Sequence, residues 1–305
     1  MTDSSAAQQL QSRYGISDVL RFEAGPHGLL RAKVITPQAQ AELYLHGAHV
    51  THYQPRGEWP VLFLSAHSWF DAVKPIRGGV PIVFPWFGRL AGDASAPAHG
   101  FARLAEWRME STAQAADGSV TLALRLGEAD ATHAAWPHEY ELRYRISVGS
   151  TLEIALDVKN HGTRTISFEE ALHTYLAVSD VRQVLISGLA GTQYLDKTDG
   201  ARPRTQGTEP IRITNETDRV YLNTKTTCIV DDPAGDRRLV VEKSGSDVTV
   251  VWNPWIAKAH AMPDFGDTEW PRMLCIETGN AADHAVTLPP GRVHTMRATI
   301  RSAPR

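Results

Sequence analysis

The chain has 305 residues, 42% hydrophobic and 21% charged, with a formal charge of −3 and a pI near 6.5. That balance suits a globular protein with a large buried core, and it gives no bulk electrostatic reason to expect nucleic acid or a membrane as partner. Two cysteines, Cys228 and Cys275, stand in no metal-ligand spacing, which argues against a disulfide framework and fits a reducing compartment. No apolar run approaches the ~20 residues of a membrane span, and the first fifteen residues lack the pattern of a secretory signal. A cytoplasmic protein is therefore expected.

In chain order, a short helix is expected over Ala6 to Arg13, ended by Gly15. Strands are then expected at Gly28 to Thr36, Ala41 to Leu45 and Val61 to Leu64. The period-two signal is clearest in three segments: Val120 to Leu126, Leu142 to Val148 and Leu152 to Val158, where Leu152, Ile154, Leu156 and Val158 alternate with polar or small residues. Further strands are expected at Val184 to Ile186, Thr226 to Val230, Leu239 to Glu242, Val248 to Trp252, Met273 to Glu277 and Arg292 to Ile300. Turn chemistry such as Asp117-Gly118 and Pro289-Pro290-Gly291 separates them. A dozen or more strands, with helical periodicity scarce, predict an all-β fold: one large antiparallel sandwich over residues 25–305, preceded by an N-terminal extension over 1–24.

Two stretches break the strand rhythm, Lys74 to Arg103 and Trp252 to Pro271. Such loops on a β scaffold are where binding sites concentrate. In the first, Gly78 and Gly79 follow Arg77 and free the backbone for a close approach or a positive φ, while Arg77 offers a planar fork of donors. His99, Gly100 and Arg103 follow; they read equally as a pocket or as a capped turn with a solvated charge. Two further positions put an ionisable group among apolar strand residues. One is His173, in Leu172-His173-Thr174-Tyr175-Leu176. The other is Glu277, at the end of Met273-Leu274-Cys275-Ile276 and before an expected Thr-Gly-Asn turn. Partly dry surroundings bring both pKa values towards neutrality, as acid/base chemistry requires, although a lone strand histidine is more often structural. Asp218 alone reads as a turn aspartate before a strand.

Taken together, these segments resemble the aldose 1-epimerase (mutarotase) superfamily, and most closely its glucose-6-phosphate 1-epimerase branch. The resemblance covers roughly residues 25–301. It runs through IRGGVPIVFPWFG at 76–88, HGFAR at 99–103, LHTYLAV at 172–178, GLAGTQYLDK at 188–197, TDRVYL at 217–222, VVWNPWIAKA at 250–259 and CIETGN at 275–280. It implies a sandwich of the galactose-mutarotase type and no metal or organic cofactor. His173 would be the general acid on the pyranose ring oxygen and Glu277 the general base on the C1 hydroxyl. Arg77 and Arg103 would bind the phosphate, Asp218 the sugar hydroxyls, and His99 would orient the substrate. Lys258 and Trp255 are lesser candidates, for anion contact and for stacking on the sugar. Leu172 stands where galactose-type enzymes carry Asn, which favours a phosphorylated hexose as the small-molecule partner. A monomer is expected. The alternatives are a carbohydrate-binding protein without catalysis, a mutarotase of neutral aldoses, and, less favoured, a glycosidase drawing on Asp264 or Asp267.

Overall fold

The computed structural model describes residues 3–305. Two eight-stranded antiparallel sheets carry the fold, beside a four-stranded sheet and a two-stranded ribbon. One large sheet runs in the order Leu185–Ser187, Cys228–Asp232, Arg237–Ser244, Val293–Pro304, Leu152–Asn160, Tyr140–Val148, Val120–Gly127, Arg108–Gln114. The predicted alternation holds there: Leu152, Ile154, Leu156 and Val158 are buried while Glu153 is exposed. Each such aliphatic side chain withdrawn from water contributes about 1.5–3 kcal/mol, before the entropy cost of ordering it.

The other large sheet, called the site sheet below, runs Arg202–Thr205, Gln193–Asp196, Thr217–Leu222, Val248–Asn253, Met273–Asn280, Glu170–Leu172, Ile82–Val83, with Tyr175–Ala177 also paired to Met273–Asn280. Residues of both large sheets and of the four-stranded sheet (Leu20–Ala24, Leu30–Ile35, Ala39–Tyr44, His49–Pro55) join one hydrophobic cluster, as in a sandwich. The helix spans Asp3–Tyr14 and stops where the Gly15 N–H donates to the Gln11 carbonyl at 2.9 Å. Leu10 and Tyr14 of the N-terminal segment pack on the core, and Leu20 and Phe22 are part of it. Among the described residues no helix is long and apolar enough to cross a membrane.

Several sequence expectations shift. Val61 to Leu64 forms no strand, only isolated bridges at Leu62 and Leu64. Glu277 ends no strand: Met273–Asn280 continues through Thr278, Gly279 and Asn280, because all three residues are still paired to neighbouring strands. The loop expected from Trp252 to Pro271 contains a short helix, Trp255–His260, entered where the Trp255 N–H donates to the Asn253 side-chain oxygen at 2.9 Å. Asp218 lies inside the strand Thr217–Leu222 rather than in a turn before it.

Candidate active site

The strand carrying His173 is interrupted. Leu172 faces Thr278 and Tyr175 faces Cys275, so the register passes unbroken across the gap and sets His173 opposite Glu277. The local cause is a tight turn: the Thr174 N–H donates back to the Leu172 carbonyl at 2.9 Å, while the His173 N–H goes to Pro81 on the far side. Directly opposed residues of antiparallel strands share a face. His173 Nε2 accordingly lies 3.3 Å from Glu277 Oε1, although 104 positions separate the two in sequence.

The pairing continues across the sheet. Glu277 faces Val250, which faces Val220; one pleat along, Tyr175 faces Cys275, Cys275 faces Trp252 and Trp252 faces Asp218. Asp218, Trp252, Cys275 and Tyr175 thus form a row beside the His173–Glu277 pair. The Tyr175 ring stacks on the His173 ring at 4.8 Å and 11°, and Trp252 meets both edge-on.

Both members of the pair are withdrawn from water, His173 at 8% and Glu277 at 1% exposure. Burial, with Arg103 and Arg77 adding to it, draws the His173 pKa down to about 3. Burial, then the charge of Asp218, pushes Glu277 well above the usual carboxylate range. The direction for the pair is therefore neutral, with one proton between an imidazole and a carboxylic acid. Among the described residues, His173 Nδ1 and Glu277 Oε2 are buried without a hydrogen-bond partner.

His99 stands at φ 63°, held between its own N–H to the Gly88 carbonyl at 2.6 Å and the Gly88 N–H to its Nδ1 at 3.3 Å. With Nδ1 accepting, the neutral ring carries its proton on Nε2. Its ring lies 5.7 Å from that of His173, and burial, followed by Arg103, lowers its pKa well below the ordinary value. Arg103 donates from Nη2 to the Ala98 carbonyl at 2.6 Å, but its buried Nε has no partner. Among the described residues it forms no ion pair, and burial, with Arg77 beside it, lowers its pKa to about 10.

Arg77 differs. Its Nε and Nη2 lie 3.1 and 3.0 Å from the same oxygen of buried Asp264, and its Nη1 donates to the Tyr175 hydroxyl at 3.1 Å. The edge of the fork that would grip a phosphate is therefore already engaged. The two glycines after Arg77 serve the backbone: Gly79 has φ 61°, and a Cβ there would sit 2.1 Å from the Val50 carbonyl oxygen. His49, fully buried, braces the same loop with Nε2 at 2.6 Å from the Gly78 carbonyl.

His173, Glu277, Asp218, Arg77, His99 and Arg103 are thus brought together. The lesser candidates fare differently. Lys258 is paired to Glu216 at 2.9 Å and reaches Asp218 through its charge, and the Trp255 ring packs tilted against Trp270, with ring centres 4.2 Å apart. Asp267 pairs with exposed His260, away from this cluster. Alternation along the strand puts Tyr175 on the same face as His173, and the ring contact between them agrees. Asp264 was not foreseen in this position; nothing in the sequence links it to Arg77.

The comparisons with known proteins give the class, an isomerase acting on carbohydrates. The family model for aldose 1-epimerase matches residues 33–301. A "Putative glucose-6-phosphate 1-epimerase" of Escherichia coli is 38% identical over 249 residues, 81% of this chain and 82% of that one. A Cenchrus ciliaris protein of the same description is 35% identical over 274 residues, 87% of this chain and 82% of its own. The crystal structure of a putative mutarotase from Salmonella typhimurium superposes with a TM-score of 0.89 at 32% identity, covering 98% of this chain and 99% of the other. The chain belongs to the aldose 1-epimerase family.

Proposed function

We propose that this protein interconverts the α and β anomers of a hexose 6-phosphate, with glucose 6-phosphate as the first substrate to test. The observation that carries the reading is the His173–Glu277 pair, 3.3 Å apart on one face of the site sheet. Mutarotation needs a proton delivered to the ring oxygen and another removed from the C1 hydroxyl, two oxygens on one carbon. An acid and a base side by side match that demand.

Imidazolium with carboxylate contains the same number of protons as imidazole with carboxylic acid, so one shared proton suffices. In the first form, His173 protonates the ring oxygen while Glu277 accepts the C1 hydroxyl proton. The C1–ring-oxygen bond breaks and the aldehyde forms. After rotation about C1–C2, the two residues return the protons in reverse, the ring closes on the other face, and no proton is gained or lost overall. Burial favours the neutral form, which is the state of the pair in the ring-opened complex.

Asp218 sits two strands from Glu277 and one pleat along, roughly 12 Å at ordinary strand and residue spacing, which leaves room for a pyranose between them with its hydroxyls towards the carboxylate. His99 Nε2–H is a further donor beside His173. Arg103, a cation without a carboxylate partner, is the stronger phosphate ligand, and Arg77 contributes through donors that Asp264 leaves free. The curated relatives with a phosphorylated sugar in their description support this choice.

Exchange NMR on glucose 6-phosphate and on glucose tests the substrate. Acceleration of the phosphorylated sugar above all is expected. Equal acceleration of the two sugars would favour a neutral-aldose mutarotase, and binding without acceleration a non-catalytic sugar-binding protein.

A further inference from the structure

Three metal-ligating atoms converge in the site, from His173, Cys275 and Glu277, all within 4.8 Å of one another. Strand geometry places them: Cys275 and Glu277 are i and i+2 on one strand and so share a face, and His173 lies opposite Glu277. The acid/base reaction has no task for the thiol. His173 Nδ1 and Glu277 Oε2 are further unpartnered atoms of residues only 8% and 1% exposed.

Zinc bonds of about 2.0–2.3 Å to nitrogen, oxygen and sulfur set tetrahedral donors roughly 3.3–3.8 Å apart. The histidine–glutamate pair already meets that spacing at 3.3 Å, and the thiol needs a shift of about an ångström. Sulfur beside imidazole selects zinc or cobalt over magnesium or calcium, which want oxygen ligands alone. Arg103 opposes a cation here, but a thiolate and a carboxylate bring two negative charges against its one, and Arg77 is already balanced by Asp264.

We propose that His173, Cys275 and Glu277 form a binding site for a thiophilic divalent cation, zinc above all, with a fourth position left to solvent. Coordination takes the thiolate and releases the thiol proton to solvent. The site stands on geometry. That its occupation inhibits follows only if His173 and Glu277 are the acid and base.

Cobalt titration of the intact protein tests the site without reference to activity. Thiolate-to-cobalt absorption in the near ultraviolet, with tetrahedral visible bands, is expected in the native protein and in Cys228→Ser. Cys275→Ser should lose it, and zinc should displace the cobalt. Zinc inhibition of anomer exchange should weaken at least about 10-fold in Cys275→Ser. Absence of the thiolate band from folded native protein would overturn the site, as would its persistence in Cys275→Ser. A band that zinc displaces without loss of exchange activity upholds the site and overturns the acid/base assignment instead.

Discussion

At the scale of single residues, the two arginines of the cluster differ in how firmly they are held. Arg103 has an unpartnered Nε and no ion pair, whereas Arg77 is tied to Asp264 and Tyr175. A hydrogen bond to a charged group is worth about 1.5–3 kcal/mol, so Arg103→Ala should raise KM for the phosphorylated sugar roughly 10- to 150-fold. Steady-state kinetics on glucose should barely change. A KM rise of the same size on glucose would remove Arg103 from the phosphate. Tyr175→Phe tests the holding role: loss of its hydroxyl releases Arg77 Nη1 alone, with Asp264 still gripping the other edge, and keeps the ring on His173, so KM should move more than kcat.

At the scale of elements, the site depends on where strands are interrupted and where loops press against them. The turn at His173–Thr174 breaks the strand without shifting its register, which keeps His173 opposite Glu277. Gly100, next to His99, has φ 74°, and a Cβ there would lie 1.9 Å from the Phe84 carbonyl oxygen. Gly100→Ala should therefore cost about 1–3 kcal/mol from conformation alone, and more from displaced backbone. Denaturant unfolding reads that loss, and exchange activity should fall as His99 moves.

The same scale shows what the sequence makes legible. Strands with one face buried and one exposed betray themselves by alternation, as Leu152–Asn160 does. Arg202–Thr205, exposed at all four positions, has no inward face to mark it, and Val61–Leu64 is apolar because it is buried, though it pairs only at isolated bridges. The site motifs are legible because glycines, a histidine and a glutamate stand out among apolar neighbours. Asp264, 187 residues from Arg77, carries no such local mark.

At the scale of the whole molecule, a link between half-buried His294 and buried Glu170 joins the two large sheets. His294, on Val293–Pro304, sets Nε2 2.8 Å from Glu170 Oε1 of the site sheet, and Asn280 also donates to that oxygen at 2.9 Å. Burial alone would lower the His294 pKa, but hydrogen bonding and the charge of Glu170 outweigh it, with Asp157 adding a smaller push, and the pKa is raised. A raised folded pKa gives stability that is fully present below the unfolded value near 6.5 and is lost as pH climbs through the folded value. Thermal unfolding of His294→Gln should accordingly show a larger Tm deficit at about pH 5.5 than at about pH 9. A deficit that grows with pH would contradict the link.

The proposed activity turns on one claim, that His173 and Glu277 work as acid and base on a single sugar ring. The most direct test is the α/β exchange rate of glucose 6-phosphate, followed by exchange NMR with the native protein and with Glu277→Gln, which keeps the shape but cannot take the proton. A fall of about 10²–10⁴-fold, with unchanged near-ultraviolet circular dichroism, is the expected result. A folded Glu277→Gln protein that exchanges anomers at the native rate would contradict it.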